Sequence, residues 1–383
     1  MKRVGWILVV LVLLVGLMPF ESRAVELNVA GKSALLMDIA TGTVLYESNS
    51  HEPLAPASVT KVMTMLLIME AIDSGKIGWD DMVTASEAAA AKGGSQIYLK
   101  VGETMSVSDM LKSIAVSSAN DCACAMAEHL AGSESAFVDM MNARAKELGM
   151  NDTNFVNCTG LDDGENASAH RTSAYDIAVM SRQLLKYHPD ITKFTTIWMD
   201  TVRSGAFGLS NTNKMIRFYS GATGLKTGFT SGAGYCLSAS AERDGLGLIA
   251  VVMGCATSQE RFAACKSMLD YGFANYALVS PEIPADAAVT VKLGKVDSIN
   301  AVAGEDTQLL VDKAQRSSIT TDVTLEPEVS APVSQGQRLG TLTVRVGEQV
   351  LAQVPLVAAQ PVERLGWSDL FVKVMKQITM AKN

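Results

Sequence analysis

Strand-patterned sequence stands on both sides of a long helical stretch in this 383-residue chain, and that order limits what it can fold into. "SALLMDIATGTVLYE" (33–47) reads as two strands around the turn Ala40-Thr41-Gly42. From about 58 to 190, "SVTKVMTMLLIMEAI", "SVSDMLKSIAVSSANDCACAMAEHLAG", "SAFVDMMNARAKELGM" and "SAYDIAVMSRQLLKYH" repeat apolar residues three and four apart, which predicts helices. Ser58, Ser106 and Ser133 stand where N-caps belong, and Gly132 and Gly149 where helices end. Strands return from about 195 to 256, notably the hairpin "YCLSASAERDGLGLIAVVMG" around Arg243-Asp244-Gly245. "SQERFAACKSMLDYGFANY" (258–276) predicts one more helix. The expectation is an α/β domain whose sheet joins segments far apart in the chain.

The two ends of the chain differ from this middle. "MKRVGWILVVLVLLVGLMPFESRA" has the charged, apolar and small-residue order of a secretory signal peptide, residues 1–24. Its apolar core, Val4 to Met18, falls short of the about 20 residues of a membrane span. The reading is therefore an exported protein. The remaining 359 residues suit two domains. They carry 29 basic against 39 acidic residues, a net charge of −10 that argues against a nucleic-acid partner.

Past Ser280-Pro281, "AVTVKL", "GTLTVRV" and "QVLAQVPLV" alternate apolar and polar residues, which predicts a small β-sandwich-like domain over 281–358. In the last segment, 359–383, Trp367, Leu370, Phe371, Val374, Met375 and Ile378 form one helical apolar stripe. Its Trp, Phe and Lys content suits a helix lying on a membrane surface, in preference to one packed back on the protein.

Cys122, Cys124, Cys158, Cys236, Cys255 and Cys265 include no CxxC pair and read as small buried hydrophobes. His51, His129, His170 and His188 are scattered without an HExxH signature, so neither a metal nor another cofactor is expected. His170 is read as structural in preference to bordering a cleft.

The chemistry concentrates in three short motifs. In "PLAPASVTKVMTMLL", Ser58 and Lys61 lie one helical turn apart. A serine hydroxyl needs a base nearby, and a desolvated lysine amine can serve. Alone, this spacing also fits a capped helix with a surface lysine. Ser118-Ala119-Asn120 adds a hydroxyl and a carboxamide on a short connection between helical stretches, and Lys226-Thr227-Gly228 precedes a strand. Glycine there lets a ligand backbone approach the strand edge, with Lys226 facing an anionic group.

Ser-x-x-Lys, Ser-x-Asn and Lys-Thr-Gly, in this order, resemble the motif set of penicillin-binding proteins and class A β-lactamases. "APASVTKVMT", "SSANDCACAMAEHLAGS", "NFVNCTGLD", "SAYDIA", "NTNKM" and "GLKTGFTSGAGYCLSASAERDG" narrow this further. They resemble the low-molecular-mass penicillin-binding proteins that are serine-type D-alanyl-D-alanine carboxypeptidases. Phe229, where many members have histidine, resembles the sporulation-associated branch.

The resemblance implies a penicillin-binding, β-lactamase-like catalytic domain over 25–280, an antiparallel sheet with a helical insertion. The β domain and terminal helix would follow it. Ser58 would attack the carbonyl between the two terminal D-alanines of a peptidoglycan stem peptide. Lys61 would take its proton, Ser118 would relay a proton to the leaving D-alanine, and Asn120 would hold Lys61 and the substrate amide. Lys226 and Thr227, with Gly228, would bind the carboxylate or support the proton relay, Arg261 being a further candidate for the carboxylate. The enzyme would work at the outer face of the cytoplasmic membrane or in the cell wall. The backbone N–H groups of Ser58 and Phe229 would bind the oxyanion. β-Lactams would acylate Ser58 and leave slowly.

The rival readings are a β-lactamase, a D,D-endopeptidase with the same site and a wall-binding scaffold. Glu165 does not sit in the pattern of the class A deacylating glutamate. A scaffold has no use for the five residues Ser58, Lys61, Ser118, Asn120 and Lys226.

Overall fold

The computed structural model describes residues 27, 29–162 and 166–380. The expected signal peptide and Glu165 lie outside them. A five-stranded antiparallel sheet runs in the order Val44–Ser48, Ser33–Asp38, Leu246–Cys255, Gly234–Arg243, Ala222–Thr230. Ser33–Asp38 pairs with Leu246–Cys255, Leu35 opposite Val251, so the two ends of the helical insertion meet in one ladder. The Arg243-Asp244-Gly245 hairpin forms as expected, with Asp244 at φ 51° and Gly245 at φ 81°.

Alternation along the central strand sorts its side chains to two cores, because successive residues face opposite sides of a sheet. Ile249, Val251 and Met253 join the core shared with the helical insertion. Leu248, Ala250 and Val252 pack under the helix Ser258–Asn275. Ser106, Ser133 and Ser173 each cap a helix by accepting a backbone N–H. The helix Lys61–Asp73 departs from the expected amphipathic pattern: Lys61 through Met69 are all buried. A helix that is apolar all round belongs in the middle of a core, and this one packs against the helices on either side of Ser118-Ala119.

Beyond residue 280 a six-stranded sheet takes the order Ile319–Leu325, Arg338–Val346, Gln349–Ala358, Ser298–Ala303, Ala288–Lys292, Glu328–Ser330, around its own core. Contacts cross the change of pattern at Ser280-Pro281: Tyr276–Val279 pairs with Leu309–Asp312, and Lys313 Nζ donates to the Phe273 carbonyl. Trp367–Met380 is helical, with Trp367, Phe371, Val372 and Met375 exposed. Among the described residues no helix is long and apolar enough to cross a membrane.

Candidate active site

Ser58 is not the helix cap that its position suggests. It lies inside a 3-10 turn, Ala57–Thr60, and the α-helix begins at Lys61. The tight turn brings Lys61 Nζ to 3.0 Å from Ser58 Oγ, and Nζ also donates to the Thr159 carbonyl at 2.7 Å. Lys61 is fully buried, and burial drives its pKa down to about 7 against the opposing pull of Cys158 and Asp121. An amine of this kind can accept a proton near neutral pH.

The Thr159 carbonyl is presented by a turn that sequence reasoning gave no role. Asn157 Oδ1 accepts from Thr159 N at 3.1 Å and Gly160 N at 2.6 Å, while its Nδ2 donates to the Leu161 carbonyl at 2.9 Å. Gly160 sits at φ +80°, and a Cβ there would lie 1.8 Å from the Ala57 carbonyl oxygen. The signal for it was Asn-x-Thr-Gly, since asparagine folds back on backbone two and three residues on.

Ser118 ends the helix Val107–Ser117 in the left-handed region at φ 63°, and the next helix starts at Asn120. Both side chains are buried, and among the described residues neither Ser118 Oγ nor Asn120 Oδ1 has a hydrogen-bond partner. Asn120 makes no bond to Lys61 of the expected kind: its Nδ2 donates to the Gly93 carbonyl at 2.7 Å. The Asp121 carboxylate, also unassigned from sequence, accepts from Ile97 N and Leu99 N and clamps the same loop.

Lys226-Thr227-Gly228 lies in the edge strand Ala222–Thr230. Lys226 is buried, donates to the Thr227 carbonyl at 2.9 Å, and has its pKa pushed well down by burial and then by Lys61 and Arg261. Thr227 Oγ1 donates to Thr212 Oγ1 at 2.7 Å, and Thr212 N to the Val116 carbonyl, tying strand to helix end. A Cβ on Gly228 would lie 2.6 Å from the Pro56 carbonyl and 3.1 Å from Ser58 N, so only glycine lets the strand press on the nucleophile turn. Phe229 is 52 % exposed and stacks on Tyr235 with ring centroids 4.3 Å apart.

Arg261, the further candidate for the substrate carboxylate, lies on the helix Ser258–Asn275. It is buried beneath that strand, Nη1 donating to the Gly228 carbonyl at 2.9 Å and the Cys236 carbonyl at 3.3 Å. His170 is buried and bonded to Thr60 Oγ1 at 2.7 Å. All six cysteines are buried with free thiols, and among the described residues no group of side chains is placed to hold a metal.

Comparison with known proteins gives two family matches: D-alanyl-D-alanine carboxypeptidase over residues 20–257, and the C-terminal domain of penicillin-binding protein 5 over residues 282–364. The D-alanyl-D-alanine carboxypeptidase DacF of Bacillus subtilis is 44 % identical over 366 residues, covering 94 % of this chain and 93 % of its own. Penicillin-binding protein 5 of Haemophilus influenzae has a TM-score of 0.73 at 30 % identity, covering 88 % of this chain and 98 % of that one. Ampicillin-bound penicillin-binding protein D2 of Listeria monocytogenes has a TM-score of 0.59 at 32 % identity, covering 65 % of this chain and 99 % of that one.

Proposed function

This chain belongs to the D-alanyl-D-alanine carboxypeptidase family and is a serine-type carboxypeptidase of that class, and we propose that Ser58 is its nucleophile and Lys61 its general base. The observation that carries the assignment is the buried Lys61 amine, 3.0 Å from Ser58 Oγ with a pKa near 7. The substrate is a peptidoglycan stem pentapeptide.

Lys61 takes the hydroxyl proton as Ser58 Oγ attacks the carbonyl of the penultimate D-alanine. The backbone N–H groups of Ser58 and Phe229 bind the oxyanion. The C–N bond then breaks, the terminal D-alanine leaves with a proton passed through Ser118, and an ester remains on Ser58. Water cleaves that ester and restores the hydroxyl. Asn120 offers its unpaired Oδ1 to the substrate amide. Lys226 and Thr227 receive the terminal carboxylate, whose charge suits a desolvated lysine. Gly228 admits the peptide backbone, Phe229 lines the lip, and Arg261 holds the strand from behind.

A β-lactam presents its strained amide to the same serine, a reading supported by the ampicillin-bound form of the Listeria relative. In this reading residues 1–24 direct export, 25–280 form the catalytic domain, and 281–358 hold it off the membrane surface on which the 359–383 helix lies. The phenylalanine at 229 supports placement in the sporulation-associated branch.

The test is intact-protein mass spectrometry of residues 25–383 with benzylpenicillin, wild type beside Ser58→Ala, followed by a D-alanine release assay. A persistent one-to-one adduct that Ser58→Ala lacks is the expected result. An adduct on Ser58→Ala would overturn the assignment, and rapid turnover without an adduct would indicate a β-lactamase.

A further inference from the structure

Behind the nucleophile turn, groups outside the three motifs form a directed chain of hydrogen bonds. Val156 N–H donates to His170 Nδ1 at 3.1 Å. A ring nitrogen that accepts carries no proton, so the proton of the neutral imidazole sits on Nε2. Nε2 donates to Thr60 Oγ1 at 2.7 Å, and the Thr60 hydroxyl donates to the Ala57 carbonyl at 2.8 Å. The ring stays neutral through the physiological range, because burial first, then the charges of Arg171 and Lys61, push its pKa down to about 4.

The far end of this chain is one face of the peptide that joins Ala57 to Ser58. In a trans peptide the carbonyl and the following N–H share a plane and point in opposite directions. The glycines on either side agree with that geometry. A Cβ on Gly160 would meet the Ala57 oxygen at 1.8 Å, whereas one on Gly228 would approach Ser58 N at 3.1 Å. The carbonyl therefore faces the Asn157–Leu161 turn, and the N–H faces the Lys-Thr-Gly strand. Ala57 itself is at φ 49°, a left-handed conformation that a residue with a Cβ holds only when its surroundings impose it.

We propose that His170 is a positioning residue: through Thr60 it holds the Ala57–Ser58 peptide so that the Ser58 N–H points at the oxyanion forming on the substrate carbonyl. This rests on Ser58 being the nucleophile and its N–H an oxyanion donor. Since the donor acts on charge that develops only in the transition state, losing its orientation lowers the rate of acylation and leaves substrate binding unchanged.

The test measures acylation by benzylpenicillin, with kcat and KM for D-alanine release from a stem pentapeptide. The proteins are wild type, His170→Phe, His170→Gln, Thr60→Val and the Thr60→Val/His170→Phe double variant. Removing one oxyanion donor costs roughly a hundredfold to a thousandfold. Misdirecting one by His170→Phe is expected to cost about tenfold to a hundredfold in acylation and kcat, with KM within about twofold. His170→Gln retains one donor and one acceptor and recovers most of the rate. The double variant is no slower than the slower single one, because both cut the same chain.

Wild-type acylation in His170→Phe, failure of glutamine to rescue, or rate losses that multiply would each overturn the proposal. Labelling that persists in Ser58→Ala would overturn the underlying assignment instead. If His170→Phe does not fold, Thr60→Val against Thr60→Ser carries the test: valine slows acylation and serine does not, and equal rates overturn the proposal.

Discussion

Lys61 Nζ is held between Ser58 Oγ at 3.0 Å and the Thr159 carbonyl at 2.7 Å, two groups 101 residues apart in the chain. The carbonyl accepts a hydrogen bond from the amine, and the neutral amine can then turn its lone pair toward the serine hydroxyl. Burial supplies the rest by lowering the pKa to about 7.

Acylation should therefore follow the neutral form of Lys61. The rate rises with pH through about 7 and levels above it, and it falls about tenfold for each pH unit well below that midpoint. Stopped-flow acylation between pH 5 and 9 checks this. A profile flat across pH 7 would remove Lys61 as the base.

Gly160→Ala should lose both stability and activity. Its Cβ would strike the Ala57 oxygen at 1.8 Å, and its φ of +80° disfavours any side chain. Strain and overpacking of this kind cost about 2–4 kcal/mol together. Denaturant unfolding measures the first effect and penicillin labelling the second.

Arg261→Ala should act through stability. Two carbonyls under the Lys-Thr-Gly strand lose a buried charged donor, a loss on the order of 3 kcal/mol. Unfolding and KM measured together separate this from substrate binding. An unchanged Tm with a raised KM would make Arg261 a direct ligand of the substrate carboxylate.

Acid should weaken the fold through His170. Its folded pKa, about 4, lies below the 6.5 of the free side chain, so the unfolded chain takes up the proton first as pH falls. Stability is intact above about 6.5 and is lost progressively down to about 4, by roughly 3 kcal/mol. His170→Gln should flatten that part of the pH–stability curve in urea unfolding.

Removing residues 359–383 should leave release of D-alanine from a soluble pentapeptide unchanged and abolish co-sedimentation with anionic vesicles. Trp367 and Phe371 are 92 % and 68 % exposed, which gives the helix an apolar face to bury there. Equal vesicle binding by the truncated chain would refute the membrane reading.

Much of this protein was legible before any fold was known. Strand alternation identified 33–47 and the hairpin at Arg243–Gly245, and three motifs named the chemistry, because each depends on neighbours a few residues apart. Ser58 shows the limit of such reading. Its sequence context suits a helix cap, yet the backbone there makes a 3-10 turn, with Ala57 forced to positive φ, where the Asn157–Leu161 turn packs against it. Arg261 read as a candidate for the substrate carboxylate, yet it is buried and donates to the Gly228 carbonyl from beneath the strand.

The sequence by itself determined the elements and the family motifs, through local spacing, and those motifs point to the proposed reacting groups. Only the tertiary structure decided the pKa of Lys61, the partner at Thr159 and the chain from His170 to Ala57. Those depend on desolvation and on contacts between residues about a hundred positions apart, which no local pattern encodes.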